Sequence, residues 1–365
     1  MTRRISRVAC VAVVLAMAVS AASAQTSPYA PFMGKSSFSP SDEAQMTAIT
    51  DTLITDMLST DEGKVNRARA AMVDAVEDSR ATEQFKAVAA KIIADRLGAR
   101  LNNAVVHRSR LAVAIVAAKL QTPESLALLL RLLGEPARPE VYPSVRYWAA
   151  KGLAGERMKD IIRKESAGIP GRVVLKSVSQ VLDTETQPVC VGVMFLVLDA
   201  VQTESATDVL IKAVAEKARA LDLGRRDAAD AMKSAVPALK EAYAREIRPA
   251  AAGKQPIVAT LAQVLAQTPP HGPGLELAVA VDEALAALTN ETTGLAAAVE
   301  VYEDQSRLTD PKVIDIIWLQ QLNWVEVLLK TSNKDVRLLS RPAILDWSAA
   351  KSVETVRKMA AKQGR

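Results

Sequence analysis

Histidine, the side chain most suited to acid–base chemistry near neutral pH and to metal binding, is scarce in this chain of 365 residues, which contains two histidines. His107 lies beside two arginines at the predicted start of a helix, where packing at the surface is its usual role. His271 lies in a loop rich in proline and glycine, an accessible place for function. Neither has a cysteine or a second histidine nearby in sequence, so nothing indicates a zinc site. The sequence also selects no partners that would place either histidine in a catalytic triad.

Acidic residues and glycine-rich loops give no stronger signal for catalysis. Adjacent acids such as Asp42-Glu43 and Asp282-Glu283 point about 100° apart on a helix, so they do not form a ready acid–base pair. Helix starts and solvated faces account for most of them. No spacing matches a Walker or dinucleotide-binding fingerprint. We therefore predict no enzymatic activity, no cofactor and no metal.

The first 24 residues have the features of a signal peptide. Arg3, Arg4 and Arg7 precede an apolar run over 8–19, and Ala22-Ser23-Ala24 has the small residues of a cleavage site. The apolar run is short for a helix that spans a bilayer. We expect export, with cleavage near Ala24 to a periplasmic or secreted product that has no transmembrane segment.

The net charge limits the class of partner that the chain can bind, and the cysteine content limits its disulfides. The leader holds three arginines and no acid, so the net charge falls from +5 for the whole chain to about +2 after cleavage. Basic and acidic residues are interspersed, whereas nucleic-acid-binding proteins concentrate basic charge on one face, so no nucleic acid is predicted as a partner. Cys190 is the only cysteine after the leader, which leaves no internal disulfide. Its valine neighbours predict a buried thiol.

The elements that would position any site are best seen in residues 105–155. Arg110 precedes an apolar helical run over 111–120, and a second run over 126–133 follows a short link. Thr122 can cap that second helix, and Pro123 suits its first turn, where the missing N–H costs nothing. A loop over 134–143 leads into a third helix. The stretch predicts one helical hairpin followed directly by the next.

This stretch resembles the lyase-type HEAT repeat family. In that family a Val-Arg pair starts one helix and a Pro-Glu pair starts the other. The corresponding positions here are Val145, Arg146, Ala149, Ala150 and Leu153, then Pro123, Glu124, Leu129, Leu130, Leu132 and Leu133. Gly152 departs from the pattern, since the family prefers alanine there. The resemblance implies stacked helical hairpins, several of which are needed before any one can bury its apolar face.

Two patterns indicate that the hairpin is repeated. A basic residue precedes an apolar helix at Arg69, Arg110 and Arg146, about forty residues apart, the spacing of such repeats. The links Gln121-Thr122 and Gln202-Thr203 also each close one apolar helix and open another.

The predicted fold class is all-α, an α-solenoid of stacked antiparallel helical hairpins of the HEAT/armadillo type. Abundant alanine and leucine and a low aromatic content of 4% favour helices. Residues 25–40 are predicted as a flexible lead, and Ser41 as the cap of the first helix. Residues 41–248 form the first part of the solenoid, and 257–365 its continuation and C-terminal cap. A hinge is predicted between them over 249–256, and a largely buried helix over 310–329.

Aromatic and arginine residues are the predicted partner surface, because both are enriched at binding hot spots. The candidates are Tyr142, Arg146, Tyr147 and Arg108. Trp148 and the later tryptophans are assigned to core gaps instead. The predicted function is an exported, non-enzymatic scaffold that binds a protein partner. The alternatives are a structural protein of the cell envelope and, from the resemblance, a HEAT-like lyase-type enzyme.

Overall fold

The structure is a computed structural model, and it describes residues 27–134, 143–245, 250–268 and 272–289. Within these ranges the regular secondary structure is helical and no strand occurs, so the all-α prediction is confirmed for the described part of the chain. The α-helices, numbered in chain order, are α1 Ala30–Met33, α2 Pro40–Met57, α3 Glu62–Glu77, α4 Glu83–Arg100, α5 His107–Leu120, α6 Pro123–Leu133, α7 Pro143–Leu153, α8 Glu156–Arg163, α9 Gly171–Thr184, α10 Pro188–Val201, α11 Glu204–Ala220, α12 Arg226–Arg245, α13 Ala250–Gln267 and α14 Gly272–Thr289.

Polar side chains determine where several of these helices begin. The residue before each accepts a hydrogen bond from the backbone N–H three positions later, as seen at Ser39, Asp61, Thr82 and Thr203. Such caps satisfy amide groups that have no partner inside the helix. The cap of α2 is Ser39 and not Ser41 as predicted, because Pro40 takes the first helical position, where its missing N–H costs nothing.

The predicted start of α6 at Thr122 is confirmed in position, but the hydrogen bonds differ from the expected cap. Ser125 Oγ accepts from the Thr122 backbone N–H at 3.1 Å and donates to the Thr122 carbonyl at 2.8 Å. Thr122 Oγ1 is buried and has no hydrogen-bond partner among the described residues. The turn is therefore closed by Ser125.

The repeated Gln-Thr link has the same backbone form in both copies. Gln121 and Gln202 follow α5 and α10 with φ of 51° and 53°, in the left-handed region, and the next residue in each case is the N-cap of the following helix. The side chain of Gln121 also joins three helices. Its Oε1 accepts from the Met158 backbone N–H at 3.1 Å, and its Nε2 donates to the Gly152 carbonyl at 2.8 Å.

The helices lie in two layers. A front layer consists of α3, α5, α7, α10, α12 and α14, in which each helix contacts the next. A back layer of α2, α4, α6, α9, α11 and α13 follows the same order, and the chain alternates between the layers. Core side chains such as Phe85, Leu129 and Phe195 are fully buried between them. Each helix between the ends of a layer therefore has two neighbours in that layer and the opposite layer behind it.

The short helix α8 interrupts this alternation. It has eight residues and contacts α6, α7, α9 and α10. It starts beside Gln121, at the end of the stack where α6 begins, as the bond from Met158 shows. An eight-residue helix extends only about 12 Å, so the other ends of α6 and α9 are left apart.

Two glycines allow neighbouring front-layer helices to approach closely. A Cβ added at Gly152 of α7 would lie 2.7 Å from Ala118 Cα, and one at Gly192 of α10 would lie 2.8 Å from Ala231 Cα. Contacts this short force the backbone to move. Small residues on both sides of these contacts therefore set the spacing of α5 with α7 and of α10 with α12.

Residues 27–40, within the predicted flexible lead, pack against α2 and the start of α4. Tyr29 is fully buried, its hydroxyl lies 2.8 Å from Thr50 Oγ1, and its ring packs edge-on against Phe85. Thr82 donates through its hydroxyl to the Lys35 carbonyl at 2.6 Å. The serine- and proline-rich composition of this segment does not indicate the apolar side chains that pack it against α2 and α4.

Within the predicted hinge over 249–256, helix α13 begins at Ala250 and passes through Pro256. Three consecutive alanines favour helix strongly enough to extend it through this segment. The predicted helix over 310–329 and the predicted C-terminal cap lie outside the described residues.

The glycine contacts predict opposite effects for two similar substitutions. Gly192→Ala should lower the free energy of unfolding by roughly 1–3 kcal/mol, because overpacking outweighs the better helix propensity of alanine. Gly98→Ala, within α4, should raise it by up to about 1 kcal/mol, since nothing lies within 4 Å of the added Cβ. Urea unfolding followed by circular dichroism measures both, and stabilisation by Gly192→Ala would contradict the close approach.

Candidate functional site

The outward face of the front layer carries an apolar patch. A front-layer helix is covered on both sides and behind, so partly exposed side chains in its middle face outward. On α5, α7 and α10 these side chains are apolar. We call this set the aromatic patch: Leu111, Ile115, Tyr147, Trp148, Val193 and Leu196. Val189 extends it at the start of α10 and is 52% exposed.

The centre of the aromatic patch is held in a fixed arrangement. The rings of Tyr147 and Trp148 meet edge to face, with centroids 5.8 Å apart and planes at 80°. Lys151 Nζ lies 4.8 Å from the Trp148 centroid and 5.6 Å from that of Tyr147. Both contacts are of the kind that stabilises aromatic side chains beyond their buried area. These contacts hold the two rings and Lys151 against one another.

Basic residues border the patch. The three helices α5, α7 and α10 contain five basic residues and one acid, Asp199, which is buried against Arg245 at 2.7 Å. Arg108 lies at the start of α5 and pairs with Glu62 at 3.1 Å, while Lys119 near its end pairs with Glu77 at 2.6 Å. Both carboxylates belong to the neighbouring α3. The three patch helices thus expose cations and no acid of their own.

The four predicted partner-surface residues have different surroundings. Tyr147 lies in the aromatic patch, and Arg108 is exposed at its border. Tyr142 lies outside the described residues. Arg146 is not a surface residue: its Nε donates to Glu185 Oε2 at 2.6 Å, with 8% and 1% of the two side chains exposed. Its position already indicated this, because Ala149, Ala150 and Leu153 follow at helical spacings on the same buried face.

Arg146 and Glu185 belong to a buried polar cluster, the polar junction, with Lys217 and Cys190. Glu185 Oε1 accepts from the Thr186 and Gln187 N–H groups at 3.0 and 2.9 Å. Lys217 Nζ donates to the Glu185 carbonyl at 2.8 Å, at the end of α9. Cys190 Sγ donates to the Pro143 carbonyl at 3.3 Å. Together these bonds connect α7, α9, α10 and α11.

Burial controls protonation in the polar junction. Desolvation raises the pKa of Cys190 to about 12, and the charge of Glu185 acts in the same direction. Desolvation also lowers the pKa of Lys217, against the attraction of Glu185. A thiol with so high a pKa is a poor nucleophile. Because each of the four residues hydrogen-bonds within the protein, we assign the cluster to holding helices together.

A groove of about 890 Å³ opens beside the junction, where the ends of α6 and α9 are left apart. Leu130, Leu133 and Val181 form apolar walls, and the Arg146–Glu185 pair lies at its floor. Arg131 at the rim donates to the Gly98 carbonyl and to Asn102 Oδ1, both at 3.1 Å. The carbonyl ends of two helices also face this region and offset part of its positive charge. The groove is therefore an apolar cleft with little net charge.

One contact between reactive side chains was missed by sequence reasoning. His107 Nε2 lies 2.9 Å from Ser144 Oγ, at the starts of α5 and α7. The residues are 37 positions apart, so no local motif marks them. A nucleophilic serine also needs a pocket for its substrate and a group that orients the base. Neither the groove nor the cavity lined by Arg163, Arg172 and Gln202 includes either residue.

Within the described ranges, no helix combines the length and the apolar character needed to cross a bilayer. No group of three or more histidine, cysteine, aspartate or glutamate side chains lies close enough together there to hold a metal ion.

Comparison with protein-family models, curated proteins and solved structures finds no match to this chain.

Breaking the buried pair should destabilise the protein. Arg146→Met should lower the free energy of unfolding by about 3–5 kcal/mol, because Glu185 stays buried without its cation. Adding Glu185→Gln should restore much of the loss. In Arg80→Met the exposed Arg80–Asp78 pair is broken instead, and the unfolding midpoint should not move. Equal effects of the two single substitutions in urea unfolding would contradict a buried role for Arg146.

The state of Cys190 gives a second prediction. In a chain carrying Cys10→Ser, iodoacetamide at pH 8 should label Cys190 only after unfolding in urea. The native thiol is buried, and its raised pKa keeps it protonated at pH 8. Mass spectrometry counts the label. Rapid labelling of the native protein would show that the junction opens to solvent.

Proposed function

We propose that this chain is an exported α-solenoid of stacked, HEAT-like antiparallel hairpins. In this proposal it binds a protein partner through the aromatic patch and carries no chemistry of its own. The aromatic patch is the observation on which the proposal rests.

The solenoid part is supported by how contacts are distributed. Each front-layer helix contacts its neighbours in the layer and the adjacent back-layer helices, and the same holds for the back layer. The Gln-Thr link occurs twice, as Gln121-Thr122 and Gln202-Thr203, and the glutamine has a left-handed backbone in both copies. A core that depends on neighbours only, and lengthens with each hairpin, is typical of solenoids.

The binding part is supported by the composition and position of the patch. Protein interfaces are enriched in Tyr, Trp and Arg, with apolar centres and polar borders. Here Tyr147 and Trp148 lie at the centre, and Arg108 and Lys119 lie at the border. The neighbouring front-layer helix α12 exposes mainly charged residues, such as Arg226, so the apolar surface ends at α10 on that side. Contiguous apolar surface of this kind is typical of interaction sites.

The proposal predicts which substitution removes binding. A photo-crosslinking residue at position 147 should capture a protein from an extracytoplasmic extract, and Trp148→Ala should reduce the yield about tenfold, as for an aromatic hot spot. Val173→Ala is the matched control, since Val173 is 42% exposed on α9 in the back layer. Circular dichroism checks that each variant is folded. The same yield from both variants, or no captured protein, would contradict the proposal.

A further inference from the structure

We infer that the partner presents an acidic amphipathic helix to the aromatic patch. This inference rests on the proposed function and adds the chemical class of the bound segment. It depends on the shape of the patch and on the charges around it.

The shape of the patch suits a helix. Packed helices lie about 8–10 Å apart, so three neighbours present a surface roughly 20 Å across with a groove at each of two seams. At 1.5 Å per residue, a helix of about 13 residues crosses that width. The described chain has no strand edge to which an extended segment could add. An apolar helix face can instead place its side chains in the two grooves.

The charges around the aromatic patch indicate which side chains flank the apolar face of the partner helix. Arg108 and Lys119 lie at opposite ends of α5, and Lys151 lies over the aromatic rings. No carboxylate of the described residues is within ion-pair distance of Lys151, whose Nζ lies over the rings of Trp148 and Tyr147. A partner helix with Glu or Asp beside its apolar face would pair with Lys151. Complementary charges of this kind determine partner choice more than total affinity.

The same charges argue against a second copy of this chain as the occupant. A symmetric dimer through the patch would bring Lys151 of both copies into one apolar interface, where like charges repel each other. A membrane surface fits less well than a helix because Tyr147 and Trp148 are only partly exposed and pack against the core. Side chains that insert into a bilayer must project from the protein.

The test uses two labelled 18-residue helical peptides with the same leucine face. One carries Glu at its polar positions, and the other carries Lys at those positions. Fluorescence anisotropy with the full chain should show saturable binding of the Glu peptide, at least about tenfold tighter than the Lys peptide and weaker as salt rises. Equal affinities, or no saturable binding of the Glu peptide, overturn the inference.

Variants assign the effect to the patch. Trp148→Ala should weaken binding of the Glu peptide about tenfold. Lys151→Glu should weaken the Glu peptide and strengthen the Lys peptide, whereas Val173→Ala should change neither. If Lys151→Glu has no effect, the assigned charge pairing is wrong.

Two controls identify other occupants. The patch would be assigned to a membrane if the chain sediments with vesicles of phosphatidylglycerol, Trp148→Ala abolishes this sedimentation, and neither peptide binds. Self-association that Trp148→Ala abolishes would assign it to a second copy. If position 147 captures a protein whose crosslinked segment is not acidic, this inference fails and the proposed function stands. If no protein is captured, the proposed function itself fails.

Discussion

The described structure depends most on the buried ion pair between Arg146 and Glu185. The guanidinium of α7 reaches the carboxylate that follows α9, and both are almost completely removed from solvent. A pair at this depth must overcome the loss of hydration, and it does so through its additional bonds. Glu185 accepts two backbone N–H groups with its other oxygen, and its carbonyl accepts from Lys217. Apolar burial is non-directional, whereas these bonds require one arrangement of the four helices.

That arrangement explains why the central front-layer helices differ from their neighbours. With Arg146 turned inward, the outward face of α7 is left to Tyr147, Trp148 and Lys151. On α10, Gly192 brings the helix against α12, and its partly exposed face remains aliphatic. Both α7 and α10 thus contribute to the polar junction inside and to the aromatic patch outside.

Much of the fold followed from local patterns in the sequence. Helical periodicity and the Thr122-Pro123 start located α6, and the run of valines around Cys190 predicted its burial correctly. Predictions from local patterns failed where a partner distant in sequence determines whether a side chain is buried. The prediction that Arg146 lies at the surface is wrong, because its partner Glu185 is 39 positions away and no local pattern marks the pair. The spacing of Arg146 to Ala149 and Leu153 nevertheless places it on the buried face of the helix. Tyr29 was missed for a similar reason, since its hydroxyl partner Thr50 belongs to another helix.

Native-state hydrogen exchange on a Glu185→Gln variant tests the central claim most directly. If the chain is a solenoid whose hairpins depend on their neighbours, the amides of α7, α9, α10 and α11 should lose protection most. Amides of α2 and α3 should exchange almost as in the unmodified protein, because neither helix is a direct neighbour of those four helices in its layer. A uniform loss of protection across the described helices, or no loss near the junction, would contradict the account.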